Sequence, residues 1–233
     1  MTDVAGNLRA VLARVAAAVE RCGRETDAVT VVAVSKTRSA EEIAAAVAGG
    51  ARDFGENYVQ ELVAKAEALR DRAGEAPRWH FIGHLQRNKV KYLAGLGCLV
   101  HSVDSPRLAA ELDHRAEPAG HAQPVLIQVD LASEATKTGC SEAELAELVE
   151  TVSGRRHLDW QGLMTIAPLA ETAEASRPYY RRLVAIRQQL LGQGVPAGNL
   201  RHLSMGMSND YEIAIEEGAT LVRVGTAIFG PRH

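Results

Sequence analysis

The sequence predicts an α/β fold in one domain over residues 1–233: a closed (β/α)8 barrel of the TIM type with an extra N-terminal helix. Three observations carry this expectation. Short β-branched runs alternate with helical patterns, giving eight predicted strands. Such alternation requires a parallel sheet covered by helices. The length of 233 residues fits the compact end of the barrel's range and is enough to bury a full core. The rival open doubly wound sheet lacks its fingerprint, because no GxGxxG follows a strand and no GxxxxGK[ST] occurs.

The elements follow in order. Val4, Leu8, Val11, Leu12, Val15 and Val19 recur at helical spacing, and Gly23 stops them. Val29–Val34 is a continuous β-branched run, the mark of a strand buried on both faces. Ser39 and Glu42 form a capping box, and the helix they open runs to Gly49 and Gly50. Ala51–Gly55 reads as a strand with a helix after it to about residue 72. Trp79–Ile82 is a strand, followed by a helix from Gln86 to Leu93. Cys98–Val103 is a strand, and Ser105 caps the next helix with Pro106 at its first position. Pro124–Val129 is a strand, and Ser141 with Glu144 makes a second capping box. A strand lies within His157–Met164, and a helix covers 176–191. Leu200–Ser204 is a strand, Ser208 is the expected cap of a helix ending near Gly218, and Thr220–Val224 is the last strand.

Composition narrows the function classes. Hydrophobic residues at 46% and charged residues at 24% exclude disorder, collagen and a disulfide scaffold. A net charge of −3 gives no field that would draw nucleic acid or an acidic membrane. Cys22, Cys98 and Cys140 are far apart and make no CxxC, so a reducing compartment and no metal site are expected. No basic segment precedes an apolar one at the start, and no apolar run approaches roughly 18 residues. A cytoplasmic monomer is the expectation. Lysine is scarce: five of the 26 basic residues, at 36, 65, 89, 91 and 137, the rest being arginine. Where a chain uses arginine for charge, a retained lysine invites attention, because its amine can deprotonate and attack a carbonyl.

In these barrels chemistry sits where strands end. Strand one ends at Lys36, beside the apolar Val32 and Val34. A solvated lysine is the ordinary reading of any such residue. At a barrel mouth, low-dielectric surroundings favour the neutral amine, and a neutral amine forms Schiff bases. Strands seven and eight lead into Ser204-Met-Gly-Met-Ser208 and Gly225-Thr226. One small-residue loop is only a tight turn, but two on neighbouring strands match the fold's habitual phosphate site. Arg223 lies inside a strand that should be buried, so it needs a partner. That partner is either a carboxylate such as Asp53 or Glu56, or an anion or acceptor nitrogen on a ligand. A Schiff-base lysine, a phosphate cup and an arginine at one mouth suggest pyridoxal 5'-phosphate (PLP).

The strings VVAVSKTR (31–38), FGENYVQE (54–61), WHFIGHLQRNK (79–89), HSVD (101–104), LIQVDLASEATKTG (126–139), GLM (162–164), LSMGMSNDYEIAI (203–215) and VRVGTAIFG (222–230) span most of the chain. They resemble the pyridoxal phosphate homeostasis protein family, whose single barrel is similar to the N-terminal barrel of alanine racemase. The resemblance implies that Lys36 holds PLP as a Schiff base and that Ser204, Gly225 and Thr226 hold its phosphate. It implies that Arg223 faces the pyridine end or phosphate edge and that Asn57 lies beside the ring, with His84 and Met205 as candidates for the pocket wall. It also implies a carrier or buffer acting in vitamin B6 and amino-acid homeostasis, with no catalytic residue and no metal assigned. Apo PLP-dependent enzymes would be its partners. The departures are small: Arg87 stands where a serine is expected, and the tail from Gly230 is short.

Three functions use these same residues. The first is the carrier. The second is a PLP-dependent racemase or lyase, which needs an acid and a base on opposite faces of the bound group, with only Tyr58 and His84 as second groups. The third is a Schiff-base aldolase without cofactor, which would lack visible colour. Lys137, in a polar loop, reads as a solvated lysine or as a second amine for the cofactor. Cys140 reads as structural packing or as a redox group.

Overall fold

The computed structural model describes residues 2–70, 76–132 and 138–231. Eight parallel strands close on themselves. They are β1 (Thr30–Val34), β2 (Asp53–Glu56), β3 (Arg78–Phe81), β4 (Leu99–Val103), β5 (Gln123–Gln128), β6 (Leu158–Met164), β7 (His202–Met207) and β8 (Leu221–Val224). Closure comes from β1 pairing with β8, Val32 opposite Arg223, so no strand edge is left to solvent.

The helices are α1 (Val4–Arg21), α2 (Ala40–Ala48), α3 (Val59–Leu69), α4 (Pro106–Ala116), α5 (Leu145–Ser153), α6 (Arg177–Gly192), α7 (Tyr211–Glu216) and α8 (Thr226–Phe229). The extra helix α1 buries Val4, Leu8, Val11, Val15 and Val19 against α2, α7 and α8. Each fully buried valine or leucine contributes roughly 1.5–3 kcal/mol, so this stripe holds α1 in place. Leu12, expected in the stripe, stands at its margin, 38% exposed. The Ser39–Glu42 capping box closes in both directions, at 2.9 and 3.3 Å. Ser105 caps α4, accepting from Leu108 N, with Pro106 in the first turn. Among the described residues no helix is long and apolar enough to cross a membrane.

Three expectations need correction. The helix after β3 is a 310 segment, Arg87–Tyr92, burying one side chain, Val90, which is too little apolar face to hold a full α-helix. The second capping box does bond reciprocally, Ser141 N to Glu144 Oε2 at 2.9 Å and Glu144 N to Ser141 Oγ at 3.4 Å. It closes a turn before α5, which begins at Leu145. Ser208 does not cap α7. Asp210 stands at that position, while the Ser208 hydroxyl accepts from Gly225 N (3.2 Å) and Ala227 N (3.4 Å) across the mouth. Gly206, at φ 91°, turns the chain in a way that sends Ser208 toward β8.

The core has two parts. A large apolar layer fills the space between strands and helices, and a small lumen cluster joins Leu99, Leu126, Met164 and Leu221. A polar set shares the lumen: Asp53, His80, His101, Ser204 and Arg223 are all buried there and hydrogen-bonded in series.

Candidate functional site

A cavity of about 720 Å³ opens at the C-terminal ends of the strands. Lys36, Asn57, Arg223, Gly225 and Thr226 all line it, with Ser208 beside them. Val34, Ile82, Ile166 and Phe229 supply apolar wall. A concave pocket in which apolar wall and convergent polar groups meet is a form that small-molecule sites take.

Lys36 follows β1 and is half-buried. Both of its neighbours are held. Ser35 donates from Oγ to Glu56 Oε1 (2.7 Å), and its carbonyl accepts from Lys65 Nζ (2.8 Å). Thr37 N donates to Glu61 Oε2 (2.8 Å). The Lys65 ammonium ties the frame together, donating also to Glu56 Oε1 (2.8 Å) and Glu61 Oε2 (2.9 Å). Thr37 sits at φ 64°, a left-handed conformation that costs a non-glycine residue of order 1–3 kcal/mol. The Glu61 clamp holds it there. Burial pushes the Glu56 carboxyl up, partly offset by Lys65 and Ser35. Burial also works upward on Glu61, but Lys65 and the Thr37 N–H outweigh it and hold that carboxyl below its ordinary value.

Arg223 is 4% exposed and reaches the cavity from β8. Among the described residues its hydrogen-bond partners are Ser204 Oγ (2.6 Å) and the Thr165 carbonyl (2.9 Å), both neutral. Neither carboxylate raised from the sequence pairs with it: Asp53 is taken by Arg78 and His80, and Glu56 by Lys65 and Ser35. Burial lowers the guanidinium to about 10, with Tyr180 and Asp210 pulling the other way. A buried cation held only by neutral oxygens has attraction left for an acceptor in the cavity. On the same wall Asn57 Oδ1 is buried with no hydrogen-bond partner. At Gly225 β1 and β8 come close, and an added Cβ would stand 3.3 Å from the Val34 Cβ. Arg38 closes the rim, donating to Gly230 O (2.7 Å) and Pro231 O (3.0 Å) with its guanidinium over the Phe229 ring.

Three expected site residues do not reach the wall. Ser204 points into the lumen beneath the cavity and is wholly buried, bonded to Arg223 and to His101 Nδ1 (2.8 Å). It supports the arginine and does not face an anion. Met205, next along β7, points the opposite way into the outer apolar layer, as strand alternation requires. The His84 side chain is 53% exposed, beside Asp104 at 3.6 Å and away from the cavity. Lys137 lies outside the described residues. Cys140 is buried and its thiol is pushed up to about 12 by burial, which fits the packing role. The sequence reading names Asp53, Ser204 and Arg223 but does not join them through His101 and His80. The signal for those two links was a polar residue inside an apolar strand, His80 in RWHF and His101 in LVHSV.

Comparisons with known proteins bear on the family and the fold. Residues 7–233 match the family model for the alanine racemase N-terminal domain. The chain is 46% identical over 225 residues to the pyridoxal phosphate homeostasis protein of Aquifex aeolicus, covering 97% of this chain and 96% of that one. It is 40% identical over 236 residues to the Escherichia coli K12 protein of the same name, covering 100% and 98%. Among solved structures, PipY of Synechococcus elongatus with PLP bound superposes with a TM-score of 0.81 at 36% identity, covering 93% of this chain and 100% of that one. Alanine racemase of Streptomyces coelicolor shares the fold, with a TM-score of 0.70 at 21% identity over 97% of this chain and 59% of that one. The chain therefore belongs to the alanine racemase N-terminal domain family and, within it, to the pyridoxal phosphate homeostasis proteins.

Proposed function

We propose that this protein carries pyridoxal 5'-phosphate in the mouth cavity, linked to the Lys36 amine as a Schiff base, and buffers or delivers it to apo PLP-dependent enzymes. The observation that carries the reading is the convergence on one cavity of Lys36, of Asn57 and of Arg223, whose hydrogen bonds go to neutral oxygens. When bound, the cofactor supplies an aldehyde for the amine and a ring able to withdraw electrons. The chain's own residues would do the rest. The Gly225–Thr226 turn and the Ser208 hydroxyl would seat the phosphate. Arg223 would donate toward the ring nitrogen. A guanidinium gives up its proton far less readily than a carboxylic acid, so it leaves that nitrogen unprotonated and the ring a weak electron sink.

The placement of two side chains favours carriage over turnover. Racemisation needs a second proton-transfer group across the cavity from Lys36. Of the two candidates, the His84 side chain is 53% exposed and Tyr58 57%, and both lie outside the cavity lining. The protein would work as a cytoplasmic monomer in vitamin B6 and amino-acid homeostasis. Its exposed large apolar side chains, Leu12, Tyr58, Tyr92 and Leu169, stand on different elements.

The test is optical. Protein mixed with PLP should show the visible band of a protonated Schiff base, borohydride should bleach it, and peptide mapping should find the reduced adduct on Lys36. Lys36→Ala should lose the band with an unchanged circular dichroism spectrum. A band that persists in Lys36→Ala refutes the lysine assignment. Sustained racemisation or keto-acid release from a panel of L-amino acids refutes carriage without turnover.

A further inference from the structure

The polar series in the lumen has a direction, and the cavity alone does not account for it. It starts at Arg223 Nη1, which meets Ser204 Oγ at 2.6 Å. Ser204 Oγ lies 2.8 Å from His101 Nδ1, and His101 Nε2 lies 2.9 Å from His80 Nδ1. His80 Nε2 lies 3.0 Å from Asp53 Oδ1, and Asp53 is gripped by Arg78 at 2.6 and 2.8 Å. Arg223 reaches the mouth cavity, whereas Arg78 begins β3 at the opposite end with its side chain 65% exposed. The series runs the length of the barrel.

Donor chemistry constrains the links from both ends. A guanidinium only donates, so Ser204 Oγ accepts from Arg223. The ionised Asp53 only accepts, so His80 Nε2 carries a hydrogen; with one hydrogen on each imidazole, His80 Nδ1 accepts from His101 Nε2, and His101 Nδ1 is left to accept the Ser204 hydroxyl hydrogen. Burial, with His80 and Arg223 nearby, keeps His101 neutral, far below the ordinary histidine range. Burial works upward on Asp53, but Arg78 and His80 overcome it and hold the carboxyl at about 2, so the series ends on an anion.

We propose that Ser204, His101, His80 and Asp53 are positioning residues for Arg223, forming a one-way hydrogen-bond relay that couples the buried guanidinium to an anion at the far end of the barrel. A carboxylate in direct contact would occupy the guanidinium edge and screen its charge. A carboxylate reached through a hydroxyl and two imidazoles polarises each of them toward Arg223 and leaves the cavity-facing edge to a ligand. The relay itself needs no ligand. Only its service to Arg223 rests on the PLP reading.

The test has two arms. In the protein without cofactor, long-range 1H–15N spectra of labelled histidine should show His101 and His80 both as Nε2–H tautomers. An Nδ1–H tautomer at His101 overturns the proposal. In the second arm, Ser204→Ala should raise the Kd for PLP at least tenfold, while Ser102→Ala, whose buried hydroxyl has no partner and lies off the relay, should leave it unchanged. A Kd for Ser204→Ala within twofold of wild type overturns the proposal. Asp53→Asn keeps an oxygen acceptor for His80 but removes the charge. It should shift the absorption maximum of the bound cofactor and raise the Kd at least threefold, and a spectrum and Kd matching wild type overturn the proposal even if Ser204→Ala fails to fold. A wild-type protein that binds no PLP would refute the cofactor reading while leaving the tautomer result to stand on its own.

Discussion

Lys65→Met tests whether the frame around Lys36 is electrostatic. Lys65 is 11% exposed at its side chain and donates to Ser35 O, Glu56 Oε1 and Glu61 Oε2. Methionine fills similar space and donates nothing. The Glu56 side chain, wholly buried, keeps only the Ser35 hydroxyl. Removing one partner of a buried pair costs ~3–5 kcal/mol, and protonation of the stranded carboxyl caps the loss, so we expect about 3 kcal/mol. For a chain of this size each kcal/mol moves Tm by roughly 2–4 °C, giving a fall of about 6–12 °C. The loss should depend on pH. Burial already raises the Glu56 carboxyl in the folded protein. A group raised by folding holds extra protons when folded, so stability falls as pH climbs from the ordinary glutamate value to the raised one. Without the ammonium that window extends upward, and the deficit should be larger at about pH 8 than at about pH 5. Adding Glu56→Gln to Lys65→Met should remove the pH dependence and return part of the stability. Thermal and urea unfolding at both pH values read this out. A Tm change below about 2 °C, equal at both pH values, would refute the reasoning.

Further predictions address the cavity wall and the thiols. In Gly83→Ala the new Cβ would stand 2.2 Å from the Asn57 carbonyl oxygen, so the backbone of a cavity-lining residue must move. We expect a stability loss of about 1–3 kcal/mol and a weaker PLP Kd by isothermal titration, and unchanged affinity would remove Asn57 from the site. Ser208→Ala strips the acceptor from Gly225 N and Ala227 N and should lower stability by ~1 kcal/mol. Inorganic phosphate should restore part of that loss in a thermal-shift titration, and a variant indifferent to phosphate would count against an anion seat there. Burial pushes the Cys98 and Cys140 thiols up to about 12, while Cys22 is half-buried. Ellman's reagent should therefore titrate one thiol in the native protein and three after denaturation. Rapid reaction of a second native thiol would contradict the packing.

The barrel was legible because parallel strands buried on both faces leave continuous apolar runs, such as Val29–Val34 and Pro124–Val129. Helix starts with a serine and a local partner, Ser39 and Ser105, were legible for the same reason: the bonds they make lie within the string. Ser208 and Ser204 were misplaced because their partners are remote. Ser208 bonds across to β8, and the register shift between Ser204 and Met207 on β7 decides what faces the mouth. Gly206, inside the strand, marks the shift, but nothing local says which side chains it turns to the mouth. The lumen relay was hidden likewise. His80 and His101 are each visible as a polar residue in an apolar strand, but their meeting at 2.9 Å depends on how neighbouring strands are staggered.

The strand order also sets when the cavity can come into being. Lys36 follows the first strand and Arg223 lies on the last, and they share a wall only through the β1–β8 seam. Bringing opposite ends of a chain together is the entropically dearest contact in the topology, and such contacts form late in folding. A nascent or half-folded molecule would thus present a lysine with no guanidinium across from it. Capture of the aldehyde would then report on ring closure itself, and the last turn of assembly would be the one that makes the molecule competent.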